Sequence, residues 1–331
     1  MNKIKTAVVG TGSLGRHHVR WLSQIPRSEL VGVYDIDGDK RRQYAEEYGV
    51  TAFGSLDEVA DTVQACSIAA TTSAHYDVAA HLIDAGVHCL IEKPVTATLE
   101  QSDRLQRLAE QRGVKVAVGH IERFNPAIQS LHHNDIRPAF IEAHRLAAFD
   151  PRGADVAVVL DLMIHDIDLC LMLTGSRVVD IHASAVPVVS EQADIANARL
   201  TFESGAVANL TASRISLKPM RKLRIFQKSG YYSLDLAKKE ADLYRMIAPG
   251  ATSEGTRIPI GKSNQELLYT KVNDTGEDML GAELAAFLTA VAEDGPVAVS
   301  IAEAAEALAV ALEVERIGLA AATPETKETS A

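Results

Sequence analysis

Along the first third of the chain, short apolar runs alternate with stretches whose apolar residues recur every three or four positions. Lys5–Val9, Leu30–Tyr34, Ala65–Ala70, Val87–Ile91 and Val114–Val118 predict strands, and Ser13–Ile25, Gly38–Tyr48, Ser55–Thr62, His75–Ala85 and Leu99–Gln111 predict helices. Gly86 and Gly113 stand just past helix ends, and Ser55 and Thr98 stand where helices begin. Continuous apolar strands alternating with helices predict an α/β fold, a doubly wound parallel sheet covered on both faces. After about Gly119 the pattern changes. A long strand Phe140–Phe149 and an apolar helix Val158–Leu173 precede strands at Val178–Val186, Ile195–Phe202, Ala206–Ser213, Leu223–Gln227, Tyr231–Leu234 and Leu243–Ile247. Ser204-Gly205 and Ser229-Gly230 read as hairpin turns. The apolar–polar alternation from Ile195 to Ser213 predicts a large, mostly antiparallel open sheet with one wet face. Two helices, Glu277–Glu293 and Ile301–Leu319, close the pattern. The expected organisation is a nucleotide domain over 1–120, an α+β sheet domain over 121–322 and a disordered polar tail over 323–331.

The 331 residues suffice for two domains with full cores, and the net charge of -11 argues against a nucleic-acid partner. Cys66, Cys89 and Cys170 are scattered and odd in number, which excludes a disulfide framework and a zinc spacing and predicts buried free thiols in a reducing compartment. The first strand starts at Lys5, so no secretory signal is expected. No membrane span is expected either, because the longest apolar candidate, Val156–Leu173, carries Asp161, His165, Asp166 and Asp168. A cytoplasmic location is the expectation.

The opening strand runs directly into Gly10-Thr11-Gly12-Ser13-Leu14-Gly15 and then a helix, and the next strand ends in Asp35, twenty residues after Gly15. That arrangement is a dinucleotide-binding fingerprint. Gly10 allows the tight turn, Gly12 lets the backbone approach the pyrophosphate and Gly15 lets helix pack on strand. Ser13 and Leu14 complete the turn, and the helix N-terminus faces the pyrophosphate with unpaired N–H groups. Asp35 accepts the ribose 2′-hydroxyl of NAD and repels a 2′-phosphate. Lys40-Arg41-Arg42 is either a holder of a 2′-phosphate or a solvated helix face. Thr71, His75, Glu92 and Lys93 complete the set of cofactor candidates.

Nicotinamide chemistry also needs a group to take a hydroxyl proton. Two stretches offer one. Glu92-Lys93-Pro94 follows a strand end, where ligands of such sheets bind, although a surface pair before a turn proline would look the same. Asp161, His165 and Asp168 are spaced i, i+4, i+7 on a helix that is apolar nearly all round, and buried polar groups there must be paired or used. Asp161 can orient and stabilise a protonated His165, or the two can form a core hydrogen bond. Three ligands on one straight helix diverge, so no metal is expected. His17-His18 and His132-His133 read as surface or helix-packing residues.

The glycine turn, Glu92-Lys93-Pro94 and Asp161-x-x-x-His165, in this order, resemble the glucose–fructose oxidoreductase/inositol dehydrogenase (Gfo/Idh/MocA) family. The likeness extends to the helix carrying Glu283-Leu284-Ala285-Ala286-Phe287. It implies a Rossmann domain with NAD as cofactor and a second domain that binds substrate and makes a dimer or tetramer contact through its open sheet. It also implies that Lys93 and His165 act on the reacting hydroxyl with Asp161 in support, and that the Lys93–Pro94 bond is cis. Met163 stands where many members have glycine. Val118–Pro126 and Asp161–Asp168 resemble the branch of the family that oxidises the C3 hydroxyl of UDP-N-acetylglucosamine to a ketone ahead of transamination, where Met163 is shared. The substrate candidates under that resemblance are Arg123, Asn125, Asp168, Arg214, Lys218 and Arg221. Arg214, Lys218, Arg221, Lys222 and Arg224 form the densest basic stretch of an acidic chain and suit a diphosphate, or guard a strand edge. A free-sugar or polyol dehydrogenase on the same machinery and a non-catalytic NAD-binding sensor are the competing readings.

Overall fold

The computed structural model describes residues 3–132, 134–150, 156–248, 255–260 and 265–322. In chain order the elements are β1 (Ile4–Val9), α1 (Gly15–Leu22), β2 (Ser28–Tyr34), α2 (Gly38–Tyr48), β3 (Thr51–Ala52), α3 (Leu56–Thr62), β4 (Ala65–Ile68), α4 (Thr72–Asp84), β5 (His88–Glu92), α5 (Leu99–Arg112) and β6 (Val116–Gly119). A 3-10 turn (Ile121–Phe124), α6 (Pro126–Gln129), β7 (Phe140–Leu146), a π-helical turn (Val159–Met163) and α7 (Ile164–Thr174) follow. Then come β8 (Val178–Val186), β9 (Ile195–Phe202), β10 (Val207–Ser213), β11 (Met220–Gln227), β12 (Gly230–Asp235), β13 (Glu240–Ile247), β14 (Thr256–Pro259) and β15 (Glu266–Val272), with α8 (Met279–Ala292) and α9 (Ile301–Ala322) at the end. The expected disordered tail lies outside the described residues.

The chain divides into two compact units, residues 1–124 with 277–308, and residues 125–276 with the chain from Ala309 onward. The first holds a six-stranded parallel sheet in the order β3-β2-β1-β4-β5-β6. The order reverses between β1 and β4, which leaves a crevice beyond the carboxyl ends of the strands. Side chains of each strand alternate between two cores. Ala7, Val9, Cys66, Ile68, Cys89 and Ile91 pack under α3, α4 and α5, while Val8, Val33, Ala65, Leu90 and Ala117 pack under α1 and α8. Gly281 of α8 lies against Trp21 of α1, where a Cβ would stand 2.9 Å from the ring. Helix starts are chemically marked: Asp37, Ser55 and Thr98 accept backbone N–H groups as caps of α2, α3 and α5. Ser300 and Glu303 form a reciprocal capping box at α9.

The second unit is a nine-stranded sheet in the order β14-β15-β13-β12-β11-β7-β10-β9-β8, antiparallel except for the β7–β10 pair. Ile141, Ala143, Leu223, Ile225, Leu210 and Ala212 are buried on the face that α7 covers. The opposite face carries a row of aromatics. Phe140, Phe226, Tyr231, Tyr244 and Tyr269 are direct cross-strand partners on five neighbouring strands, with ring centroids 4.8–5.8 Å apart.

Several expectations shift. The helix predicted over Val158–Leu173 opens with a π turn, in which the Ile164 N–H reaches back five residues to the Val159 carbonyl. Apolar periodicity cannot distinguish the two, since an all-round apolar segment has no face to mark its pitch. The strand predicted to Phe149 ends at Leu146, and that predicted to Ala70 ends at Ile68 because Ala69 and Ala70 enter the turn before α4. β3, β14 and β15 were beyond the pattern, two of them short and the third of mixed polarity. Among the described residues no helix is long and apolar enough to cross a membrane.

Candidate active site

The glycine turn is built by contacts that a side chain would destroy. Gly10 adopts φ +87°, and a Cβ on it would stand 2.6 Å from the Ala70 nitrogen; a Cβ on Gly15 would stand 1.8 Å from the Gly10 carbonyl oxygen. At Gly12 nothing lies within 4 Å. The turn is closed where the protein packs on itself at Gly10 and Gly15 and open at Gly12, where its backbone is accessible. Asp35 holds it in place: Thr11 donates to Oδ2 through its N–H (2.6 Å) and its hydroxyl (2.9 Å), and the Asp37 N–H donates to Oδ1 (2.9 Å). An ionised carboxylate has about four acceptor positions, so Oδ1 keeps room for a ribose hydroxyl.

A cavity of about 590 Å³ opens at this point, inside the first unit. That volume lies within the ~300–1,000 Å³ range of small-molecule sites. Gly10, Gly12, Ser13, Leu14, Asp35, Thr71, His75, Glu92 and Lys93 all line it. The strand order puts Asp35 at one end, the glycine turn and Thr71 between, and Glu92 with Lys93 at the other. The Lys93–Pro94 peptide bond is cis. Glu92 is buried, while Lys93 is half-buried. His75 is buried, with Nδ1 2.9 Å from the Pro94 carbonyl and Nε2 3.1 Å from the Ala70 carbonyl. The residues fit a dinucleotide.

The pattern of the sequence did not single out Ile36, which lies on the cavity wall and is 92% exposed. The available signal was an apolar residue placed directly after Asp35 in an otherwise polar stretch. Of the basic run, Lys40 lines the cavity but pairs with Asp37 (3.3 Å) and Arg42 pairs with Asp39, while Arg41 lies over the Tyr34 ring. The Lys40 N–H, then its ammonium, hold the Asp37 carboxyl below its usual range.

In the second unit, Asp161 sits within the π turn and His165 in the first turn of α7, both half-buried. Asp168, expected beside them, is buried. So is Asp166, whose carboxylate takes two bonds from Arg145 on β7, Nε–Oδ2 3.1 Å and Nη2–Oδ1 2.8 Å. This buried fork anchors α7 to the sheet. Arg145 carried no signal in the sequence beyond being a cation at an inward strand position.

The substrate candidates divide. Arg214 is buried: Nε donates to Asp194 (2.8 Å), Nη1 to the Val156 carbonyl (2.5 Å) and Nη2 to the Ser190 hydroxyl (3.0 Å). Burial pushes the Asp194 carboxyl up, but the N–H groups of Ser190, Val188 and Val189 and the Arg214 guanidinium outweigh it and hold it well below the carboxylate range. Asn125 caps α6 through the Ala127 N–H and donates to the Leu236 carbonyl (2.9 Å). In the first unit, Arg123 binds Glu303 at 2.7 Å. Lys218 is exposed just before β11 and Arg221 is exposed on it, while Arg224 pairs with Glu142 and Lys222 approaches Asp235. The three cysteines are buried free thiols, and burial pushes the Cys66 thiol up to about 12.

Residues 4–120 match the profile described as an oxidoreductase family with an NAD-binding Rossmann fold, and residues 127–233 match the GFO/IDH/MocA C-terminal domain. The chain is 41% identical to the UDP-N-acetylglucosamine 3-dehydrogenase of Acidithiobacillus ferrooxidans over 315 residues, 95% of this chain and 97% of that one. The solved structure of that enzyme, GnnA, superposes with a TM-score of 0.87 at 38% identity, covering 97% of this chain and 99% of that one. Scyllo-inositol dehydrogenase from Lactobacillus casei, solved with bound NAD(H) and scyllo-inositol, shares the fold at 18% identity and TM-score 0.77, over 97% and 98% of the two chains. The glycine turn, the Asp35 tether and these full-length matches agree: the chain belongs to the Gfo/Idh/MocA family of NAD-binding oxidoreductases.

Proposed function

We propose that this protein oxidises the C3 hydroxyl of UDP-N-acetylglucosamine to the 3-keto sugar. The observation that carries this reading is the 41% identity to a UDP-N-acetylglucosamine 3-dehydrogenase across 95% of the chain. When bound, NAD supplies the acceptor for the C3 hydride. Gly10, Gly12, Ser13, Leu14 and Gly15 hold the pyrophosphate, Asp35 holds the adenosine ribose, and Thr71, His75, Glu92 and Lys93 line the remaining length. His165 takes the hydroxyl proton, Asp161 orients its imidazole, and Lys93 steadies the hydroxyl oxygen as its charge grows. General-base help of this kind contributes about 10²–10⁴ in rate.

Lys218 and Arg221, exposed cations, are assigned to the diphosphate. Arg123, Asn125, Asp168 and Arg214 are assigned the shaping of the substrate region, since they are buried and engaged within the protein. The protein works in the cytoplasm as a homodimer or homotetramer, with the aromatic row of the sheet as the contact face. A sugar ketone is easily reduced back at neutral pH, so a following transamination would draw the reaction forward.

The test couples the protein and NAD to an aminotransferase that consumes 3-keto sugars and identifies the product by mass and NMR. A 3-amino UDP-sugar is the expected product. Equal reaction of N-acetylglucosamine lacking UDP would favour a free-sugar dehydrogenase. Tight NAD binding with no product from either sugar would leave an NAD-binding sensor.

A further inference from the structure

His18 is the most deeply buried polar group of α1, and neither the fold nor the proposed chemistry accounts for it. Its Nδ1 lies 2.7 Å from the Ser67 hydroxyl on β4, and its Nε2 lies 3.0 Å from Glu92 Oε1 at the end of β5. The other Glu92 oxygen accepts the Lys93 backbone N–H at 3.2 Å. Gly119 closes the remaining side: a Cβ there would stand 3.0 Å from the carboxyl carbon and both oxygens of Glu92. Beyond Lys93, the Pro94 carbonyl faces Nδ1 of His75.

We propose that His18 is a positioning residue for Lys93. Ser67 shares a hydrogen bond with His18, the His18 ring stands at ion-pair distance from the Glu92 carboxylate, and Glu92 holds the peptide N–H of Lys93 at the cavity wall. His75 fixes the other flank. The Lys93 backbone is thus held from both sides, by His18 through Glu92 and by His75 through the Pro94 carbonyl. Burying a Ser–His–Glu chain is unfavourable relative to an apolar packing of the same volume. Its place directly beneath a cavity-lining lysine gives the arrangement a use that stability alone does not. A displacement of about 1 Å at a reacting group can lower a rate about 10²-fold.

The inference rests on the reading of Lys93 as a catalytic residue, and its test contains a measurement that does not. Lysines are reductively methylated with ¹³C-formaldehyde in NAD-free protein, and the Lys93 methyl resonance is identified by its loss in Lys93→Arg. His18→Leu should move that resonance to the position of freely exposed lysines. His18→Gln, whose amide can donate to Glu92 and accept from Ser67, should restore it. On unmodified protein, His18→Leu should lower kcat about 10–100-fold while KM and the NAD dissociation constant by calorimetry change less than about threefold; His18→Gln should recover most of the kcat. If His18→Leu does not fold, Ser67→Ala removes the far end of the chain with little loss of volume and should produce a smaller change in the same direction. An unmoved resonance and unchanged kcat in either folded variant would overturn the proposal, as would a His18→Gln that behaves like His18→Leu. Normal turnover by Lys93→Ala would overturn the catalytic role of Lys93 alone, and the resonance would still decide whether His18 holds it.

Discussion

Asp35 tethers the glycine turn and is also the proposed acceptor for the cofactor ribose. Its carboxylate ties the glycine turn to the end of β2 through Thr11 and keeps acceptor capacity toward the cavity. NADP would bring a phosphate against that charge, and the nearest cations are already engaged, Lys40 with Asp37 and Arg41 over Tyr34. NAD is therefore expected to bind at least tenfold more tightly than NADP, a difference of about 1.4 kcal/mol, as titration of the Trp21 fluorescence would register. Equal affinity would mean that Lys40, Arg41 or Arg42 turns toward the 2′-phosphate. At the proposed reacting centre, Lys93→Ala and His165→Ala should leave NAD affinity nearly unchanged and reduce kcat by about 10²–10⁴. Asp161→Asn should reduce it less, because the amide can still orient the ring. A His165→Ala enzyme with ordinary turnover would remove α7 from the chemistry.

At the scale of elements, the site depends on how tightly strand, turn and helix approach one another. Gly15→Ala drives a methyl into the Gly10 carbonyl, which is backbone and cannot step aside. Overpacking of this kind typically destabilises by about 1–3 kcal/mol, and the shifted α1 should also lose NAD affinity, measurable by denaturant unfolding and calorimetry on the same variant. The β8–β9 connection is governed by a charge pair instead. Asp194 accepts from three successive N–H groups and from Arg214, so its folded-state pKa is depressed relative to the unfolded chain. A depressed carboxyl contributes stability that is fully present above its unfolded pKa and is lost as pH falls through the folded one. Asp194→Asn should therefore lower the melting temperature clearly at pH 7, consistent with about 3–5 kcal/mol for breaking a buried pair. The gap to the parent protein should narrow progressively below about pH 4. A gap independent of pH would assign the loss to packing alone.

For the whole molecule, five aromatics in direct cross-strand register make one half-exposed face of the nine-stranded sheet. Cross-strand aromatic pairs stabilise a sheet by about 0.2–1 kcal/mol each, and a continuous row of them also offers an apolar surface to a second copy. Tyr244→Asp in the middle of the row should reduce the molar mass in light scattering to that of one chain without unfolding the sheet. An unchanged mass would place the subunit contact elsewhere.

Much of this protein is local and was therefore legible in its order of residues. The alternation of strand and helix, the helix caps, the glycine turn with its acidic partner and the apolar helix bearing Asp161 and His165 are all set by neighbours within a few positions, because propensity, capping and periodicity act over that range. The sequence also carried the family resemblance, since its motifs are short and ordered. What depended on distant parts of the chain was invisible in it. That α8 packs beside α1 against the parallel sheet follows from which apolar surfaces meet, and nothing in the 279–292 pattern names its partner. The conversion of His18 from an apparent packing residue into the middle of a Ser67–His18–Glu92 chain required three elements, 49 residues apart at the first hydrogen bond, to converge. Likewise, the exposed-looking Arg214 is drawn inward by Asp194, and Arg145 is matched to Asp166, because a buried charge must find its counter-charge wherever the fold brings one. The sequence by itself determined the elements and their chemistry; the tertiary structure decided which polar groups are committed to holding the protein together and which remain for a ligand.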